Sequence, residues 1–564
     1  MSGLSWLPVA LLAVPLLGAL VLLAPPPALR RTLRLYGLAV SGVVLVLAAI
    51  MVATFEYGQA ARMQFTLDLP WIPGLGVRFH LGVDGISLPL VALTALLTFL
   101  CFVYLGVGDG RGQGQLLRPR AGGSRPRALV FTLLVLEVGM IGTFLALDLL
   151  LFFVFFEIVL IPMYFLIAVW GGKARRAAAI KFILYTLLGS VVMLLGLLFI
   201  WAQAGTLDMV ELAARHGAGM SRAVQVIAFL VVGIGLAVKT PMWPLHTWLP
   251  DAHTEAPTVG SVLLAGVLLK MGTYGFARIA IPVLPEGAAA LAPWLGALAV
   301  VGIIYGSLAC LAQRDLKRMI AYSSVGHMGF VLLGFATLTT VGINGALFAN
   351  VAHGLITGLL FFLAGAIKER YSTADMPSIT GLLATLPHLG SVLTFAAIAS
   401  LGLPGLAGFW GEMLALLGAF DPAEALSRPL FLTFMVIGGL GAVLTAAYFL
   451  VMLSRVTHGL PGGKAAPVPP DTALAASGPG GEATGPEDSV GASLAIGPSD
   501  ETADARLEKT GERIGLLSRM PDIRGYEMAA WVPLIVLILL FGLWPGLLLS
   551  LTTPAVEALL GVVS

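Results

Sequence analysis

Long apolar runs, broken at intervals by clusters of Arg, Lys, Gly and Pro, recur along almost the whole chain. A helix needs about 20 apolar residues to cross the hydrocarbon core of a bilayer. In lipid every backbone polar group must be satisfied within the protein, so these runs predict spanning helices. Fourteen are expected, at about 4–24, 33–54, 84–107, 128–147, 149–170, 178–202, 222–246, 257–281, 291–312, 318–337, 341–366, 388–417, 429–454 and 529–552. The run 4–24 is read as the first helix and not as a leader: it is long enough to span, with no cationic region ahead of it and no small-residue cleavage site.

The polar positions between the runs give a direction. Arg30, Arg31 and Arg34, then Arg111, Arg118, Arg120, Arg125 and Arg127, Lys173, Arg175 and Arg176, Arg314, Lys317 and Arg318, and Lys368 and Arg370 follow spans one, three, five, nine and eleven. All fall on one side, which the bias of Lys and Arg toward cytoplasmic loops makes the cytoplasmic one. Both termini are then expected outside. The stretch 459–515 breaks the pattern: it is rich in Gly, Pro, Ala, Ser and acids, with almost no large apolar residues. Such a composition cannot bury enough surface to order itself, so a disordered cytoplasmic insertion is expected, with a short interfacial helix over 506–527.

Composition agrees with this picture: the chain of 564 residues is 58% hydrophobic and 11% charged, with a mean hydropathy of +0.96. That balance excludes a soluble globular protein. A formal net charge of +2, without a basic stripe carrying aromatics, gives no nucleic-acid surface. Cys101 and Cys310 lie in predicted spans without metal or redox spacing, and read as small core residues.

Several ionisable residues fall inside the spans: Glu137, Glu157, Lys239, Lys270, His327, His353 and Glu412. Each costs roughly 2.5–3.5 kcal/mol near the bilayer centre on insertion scales. The mixture of acids, amines and imidazoles suits a proton relay, which needs groups that hold and release a proton. The plainer readings are hydrogen-bonded structural histidines and Lys–Glu pairs that lock helices together. Glu137 sits nearest a loop and is the weakest candidate. His246, Asp251, His253 and Glu255 cluster at a predicted helix end, but their spacing matches no zinc ligand set, and no metal is expected.

Two spans are expected to break. Lys239 precedes Pro241 and Pro244, and "LGLPGLAGFWGE" carries Pro404 and three glycines ahead of Glu412. Proline removes a backbone donor and clashes with the preceding turn, which is tolerated at membrane depth only beside a polar cavity or buried in protein. Lys239 would end a half-helix whose free carbonyls favour a cation, and Glu412 would begin one whose free N–H groups favour an anion. If spans 4–8 and 9–13 are two sets of five, each break falls in the fourth helix, and an odd count inserts the second copy upside down. The expected class is therefore an all-α polytopic membrane protein of about fourteen helices, with two inverted five-helix repeats and broken helices 7 and 12. Its expected divisions are a three-helix segment 1–127, repeats 128–281 and 291–455, the insertion 456–527 and a last helix in 528–564. In the relay, Glu157 is the candidate partner of Lys239, Lys270 receives the proton, and His327 and His353 pass it to Glu412.

The stretches "DLLLFFVFFEIVLIPMYFLIAVWGG" (148–172), "KTPMWPLHTWLPDAHTEAPTVGSVLLAGVLLKMGTYG" (239–275), "RDLKRMIAYSSVGHMGFV" (314–331) and "LGLPGLAGFWGE" (401–412) closely resemble the antiporter-like M-type subunits of proton-translocating NADH:quinone oxidoreductase, respiratory complex I. The resemblance covers nearly the whole chain except 459–515. It implies one of three related proton-channel subunits of a membrane arm, in a bacterial-type inner membrane beside sister antiporter-like subunits. It also implies the Glu157–Lys239 pair, Lys270 as the central lysine, Glu412 as the terminal carboxylate, and His327 and His353 on the connecting axis. NADH, FMN, iron–sulfur clusters and quinone belong to partner subunits, with no cofactor in this chain. The alternative is a subunit of a multi-subunit cation/proton antiporter or a membrane-bound hydrogenase; sister subunits and Mrp-type antiporters usually carry a lysine where this chain has Glu412.

Overall fold

A computed structural model describes residues 4–26, 29, 32–106, 125–459 and 522–561. Its main helices are α1 (Leu7–Val21), α2 (Leu33–Thr54), α3 (Ser87–Gly106), α4 (Pro126–Leu145), α5 (Leu149–Ile158), α6 (Leu160–Trp170), α7 (Arg175–Ala204), α8 (Met209–Arg215) and α9 (Arg222–Lys239). They continue as α10 (Trp248–Glu255), α11 (Thr258–Val283), α12 (Pro285–Leu311), α13 (Leu316–Ala336), α14 (Thr340–Tyr371), α15 (Pro387–Ser400), α16 (Ala407–Phe420), α17 (Arg428–Thr457), α18 (Gly525–Leu543) and α19 (Gly546–Leu560). Twelve of the described helices are long and apolar enough to cross a membrane, with Leu149–Trp170 and Thr258–Val283 each counted as one. Two other expected spans are shorter: α1 has 15 residues, and 388–417 is covered by α15 and α16, 14 residues each, on either side of a turn.

Three expectations need correction. The chain is not purely helical: Gln64–Ile72 (β1) and Val77–Val83 (β2) form an antiparallel hairpin between α2 and α3, pairing Asp68 with His80 and Pro70 with Arg78. Its register slips twice, and Pro70 and the charges blur the alternation that marks a strand. The last expected span, 529–552, is two helices, because Trp544 and Pro545 end α18 and α19 starts anew. Two loop cations are buried at helix ends: Lys317 donates to Ala256 O at 2.8 Å, and Arg370 pairs with Glu527. The insertion 459–515 beyond Gly459 lies outside the described residues, as does the interfacial helix expected over 506–527 up to residue 521; Tyr526 and Glu527 already belong to α18.

Burial sorts the helices by task. α11 is buried along its length and α14 almost so, whereas α7 and α17 turn much of their surface outward through residues such as Leu184, Leu188, Val436 and Val443. An apolar exterior suits lipid or neighbouring subunits, and the polar side chains concentrate on the enclosed helices.

Two backbone bridges recur with the same sequence spacing, Asp148 with Asp208 and Asp315 with Asp375. In the first, Leu149 N donates to Leu207 O (2.9 Å) and Met209 N to Leu147 O (2.8 Å); in the second, Leu316 N donates to Ala374 O and Met376 N to Arg314 O, both at 2.8 Å. Asp148 and Asp315 also cap the helices they precede, accepting from Leu150 and Leu151 and from Arg318.

Candidate functional site

Lys239 is the last residue of α9 and is buried. Its ammonium lies 3.5 Å from the carbonyl oxygen of Phe156 and 4.4 Å from the centre of that ring. Both contacts favour a cation, as does the carbonyl end of the helix. Glu157 is its electrostatic neighbour, but the two do not form an ion pair among the described residues, and Glu157 Oε1 is buried without a hydrogen-bond partner. The direct pairing expected from the sequence is thus a proximity across the next residue of the same helix, not a contact.

α11 carries Lys270 and packs tightly on the turn after Lys239. A Cβ on Gly272 would meet Thr240 Oγ1 at 2.5 Å and Leu236 O at 2.8 Å, so only glycine permits that approach. Widened π-helical turns at Leu264–Leu268 and Phe276–Ala280 flank the lysine; such turns recur at functional positions. Lys270 Nζ sits 2.5 Å from Ala265 O and 2.6 Å from His353 Nδ1. One turn of α11 along, Thr273 donates to Asn350 Oδ1 at 3.0 Å.

The contacts continue across α14, α13 and α16. The rings of His353 and His327 lie 5.5 Å apart, His327 Nδ1 is 3.0 Å from Glu412 Oε1, and His327 Nε2 is 3.1 Å from Ser400 Oγ. His353 Nε2 is buried and has no hydrogen-bond partner among the described residues. His327, His353, Ser400 and Glu412 line a cavity of about 20 Å³, room for about one water. Lys270, His353, His327 and Glu412 therefore form one series of ionisable groups, with a water-sized gap between the imidazoles.

Glu412 is held for a different reason than the sequence suggests. It lies in the second turn of α16, not the first, and the pull of free N–H groups fades beyond the first turn. His327 is its partner instead. Gly402, at φ +80°, brings the preceding turn so close that a Cβ there would lie 2.9 Å from Glu412 Oε2.

Glu137 stands apart: both carboxylate oxygens are buried and unpartnered among the described residues, and its electrostatic neighbour is Cys101. His253 stacks on Phe361 at 4.5 Å and His246 meets Tyr305 edge-on at 4.9 Å. Asp251 binds Lys181 (2.7 Å) and Glu255 accepts from Ala174 N (2.9 Å), so these four residues face different partners. Sequence reasoning missed Ser400, Thr273 and Asn350, small polar residues whose only signal is their place in apolar spans. It also missed Arg278, a guanidinium inside a predicted span, which was a sufficient signal.

Residues 146–445 match the family described as NADH:quinone oxidoreductase/Mrp antiporter, transmembrane. NADH-ubiquinone oxidoreductase chain 4 of Arabidopsis thaliana is 40% identical over 450 residues, covering 80% of this chain and 86% of its own. NADH-quinone oxidoreductase subunit M of Rhodobacter capsulatus is 40% identical over 469 residues, covering 81% and 86%. Among solved structures, a chain of respiratory complex I from Thermus thermophilus with bound NADH superposes with a TM-score of 0.77 at 28% identity, covering 99% of this chain and 100% of that one. A chain of the Mrp complex from Dietzia sp. DQ12-45-1b gives 0.76 at 25% identity, covering 99% and 98%. With a buried series of ionisable groups on enclosed membrane helices and this degree of likeness over most of its length, the chain belongs to the NADH:quinone oxidoreductase/Mrp antiporter family of multi-pass membrane proteins.

Proposed function

We propose that this chain is the M-type membrane-arm subunit of an NADH:quinone oxidoreductase and that it translocates protons through Glu157, Lys239, Lys270, His353, His327 and Glu412. The series from Lys270 to Glu412, interrupted only by the water-sized gap between the imidazoles, carries this reading. An ammonium 2.6 Å from an imidazole nitrogen can pass its proton along that hydrogen bond. His353 offers its second nitrogen to a bridging water, and His327 hands the proton to Glu412. Lys239 sets whether Lys270 gives or holds: a charge arriving or leaving one helix away shifts the proton's free energy by an amount comparable to the membrane potential, about 2.3 kcal/mol per charge per 100 mV. Redox chemistry in partner subunits supplies the energy, and NADH, FMN, iron–sulfur clusters and quinone belong there.

The recurring Asp148–Asp208 and Asp315–Asp375 bridges support an inverted repeat, since each opens the second helix of its set of five. Fourteen spans then place the hairpin and both termini outside, and the Lys/Arg-rich loops in the cytoplasm of a bacterial-type inner membrane. Glu137, unjoined to the series, takes no part in this route.

The alternative is a subunit of a cation/proton antiporter, favoured by a likeness to the Mrp complex chain almost as great as that to the complex I chain. Tagging the chain, solubilising membranes in mild detergent and staining a native gel for NADH oxidation separates the two. A large NADH-oxidising band containing flavin and iron–sulfur subunits is expected; a small band of membrane subunits alone would overturn the assignment.

A further inference from the structure

Two buried Arg–carboxylate pairs lie at opposite faces of the molecule, and they are built differently. Arg370 binds Glu527 through two parallel contacts, Nη1 to Oε1 at 2.8 Å and Nη2 to Oε2 at 2.7 Å, with both side chains fully buried. That is a lock: both oxygens are used. Arg278, on α11, meets Asp84 at 2.5 Å through one oxygen only. The same Oδ1 also accepts from Ile86 N (3.0 Å), Ser87 N (3.0 Å) and the Ser87 hydroxyl (3.2 Å). Oδ2 has no hydrogen-bond partner among the described residues, and Asp84 and Arg278 line a cavity of about 360 Å³ on the hairpin face. Arg62, His216, Met209 and Leu559 are among the other residues of its wall.

A connection runs from this pair back to the relay. Lys270, Tyr274 and Arg278 recur every four residues on α11, which places them in a row along one side of the helix. The Tyr274 hydroxyl accepts from Arg278 Nε at 3.3 Å and donates to Phe144 O at 3.2 Å. Central lysine, phenol, ion pair and cavity thus follow one another from the middle of the molecule to its hairpin face.

We propose that Asp84 is an outward proton-release group for this subunit, with Arg278 as its gate and the cavity as its aqueous vestibule. The proposal rests on the proton-translocating reading above. When the series toward Glu412 already holds a proton, the Lys270 ammonium gives its proton along this row instead and becomes an amine; the proton crosses one helical turn through water to the Tyr274 hydroxyl. The hydroxyl takes that proton and releases its own, which is directed at Phe144 O in this structure, through water past Arg278 to the Asp84 carboxylate. Neutral Asp84 no longer holds the guanidinium, which keeps its charge and swings clear. Asp84 then gives the proton to cavity water, and the ion pair re-forms behind it and bars return.

The test uses the complete complex in proteoliposomes, reading protons moved per NADH oxidised. Asp84→Asn keeps a side chain that caps α3 and accepts from Arg278, but cannot carry a proton. It is expected to lower the ratio as far as Lys270→Met does. If Asp84→Asn assembles and pumps as wild type while Lys270→Met loses pumping, the gate is wrong and the relay stands; if Lys270→Met also pumps normally, both readings fall. A second measurement covers the case in which Asp84→Asn does not assemble. Ala213→Cys places a thiol on the cavity wall, and the native Cys101 and Cys310 are buried from a membrane-impermeant thiol reagent. Modification of the detergent-solubilised complex before reconstitution should lower the ratio relative to the identically treated complex without the added cysteine, and reduction should restore it. Failure of the thiol to react, or reaction without effect on the ratio, would overturn the proposal.

Discussion

Lys239 and Glu412 each stand beside a turn, one in each half of the chain, yet their buried surroundings are built differently. Lys239 closes α9 and draws on the end of its own helix, a carbonyl 3.5 Å away and an aromatic face. Glu412 stands inside α16 and draws on a side chain from another helix, His327, at 3.0 Å. A backbone carbonyl cannot change its charge, whereas an imidazole can. The first half therefore surrounds its charge with groups of fixed charge, and the second with a group that can change its own; in the proposed relay the first would store the proton and the second hand it on.

The largest effect should come from the storage end. Lys239→Ala is expected to lower coupled NADH:quinone activity and proton pumping at least tenfold, roughly 1.4 kcal/mol of added barrier, with the complex assembled. Membrane-vesicle pumping and a native gel measure both, and normal pumping by an assembled variant would remove Lys239 from the relay. His327→Ala deprives Glu412 of its partner, a loss of about 1.5–3 kcal/mol for a hydrogen bond to a charged group. Because the responsive half is struck, its pumping should respond to external pH differently from wild type, while Lys239→Ala should be defective across the range.

Gly402→Ala probes the turn itself. Its left-handed backbone and the 2.9 Å approach to Glu412 should cost about 1–2 kcal/mol, seen as a lower melting temperature of the purified complex. Gly272→Ala, the corresponding squeeze in the first half, should displace α11 from the Lys239 turn and reduce pumping more than stability.

The smallest effect concerns the two Asp bridges. The first is clamped by His80, 2.8 Å from Asp208, and by Arg78 N, 3.1 Å from Asp148; the second has the longer Arg314–Asp375 contact at 3.8 Å and a local hydrogen bond from Ser378 to Asp375 at 2.7 Å. His80→Ala should cost about 1 kcal/mol. Burial pushes the Asp208 carboxyl up, but the His80 hydrogen bond and the N–H groups of Glu211 and Val210 outweigh it and hold the group below the usual carboxylate range. Its stabilisation is therefore present above about pH 4, the unfolded carboxylate value, and is lost as pH falls further. His80→Ala should flatten that acid loss in thermal melts taken between pH 5 and 3.

The membrane architecture was legible because an apolar run of some 20 residues has few structural meanings, and the candidate ionisable residues because Lys, Glu and His in such runs are costly enough to need a reason. The hairpin was not legible: Asp68 and Pro70 interrupt its alternation. The identity of Glu412 was readable, but its support was not, since helix start and partner depend on how α13 approaches α16. Arg278 and Asp84 lie far apart in sequence, and the space between them is a property of packing that no local pattern reports.

Where the chain leaves and re-enters the described bundle around 460–521, both ends are fastened to the same short stretch. Gly381 N holds His458 O at 3.0 Å, and Asp522 holds the backbone of His388 at 2.7 Å and of Leu389 at 3.0 Å. Closing a loop between two fixed posts costs only about 0.6 kcal/mol more for each doubling of its length. The posts therefore form a cassette position. Removing 465–505, or replacing it with a folded reporter whose termini are close together, should leave pumping unchanged and turn this position into a handle for fluorescence or affinity capture.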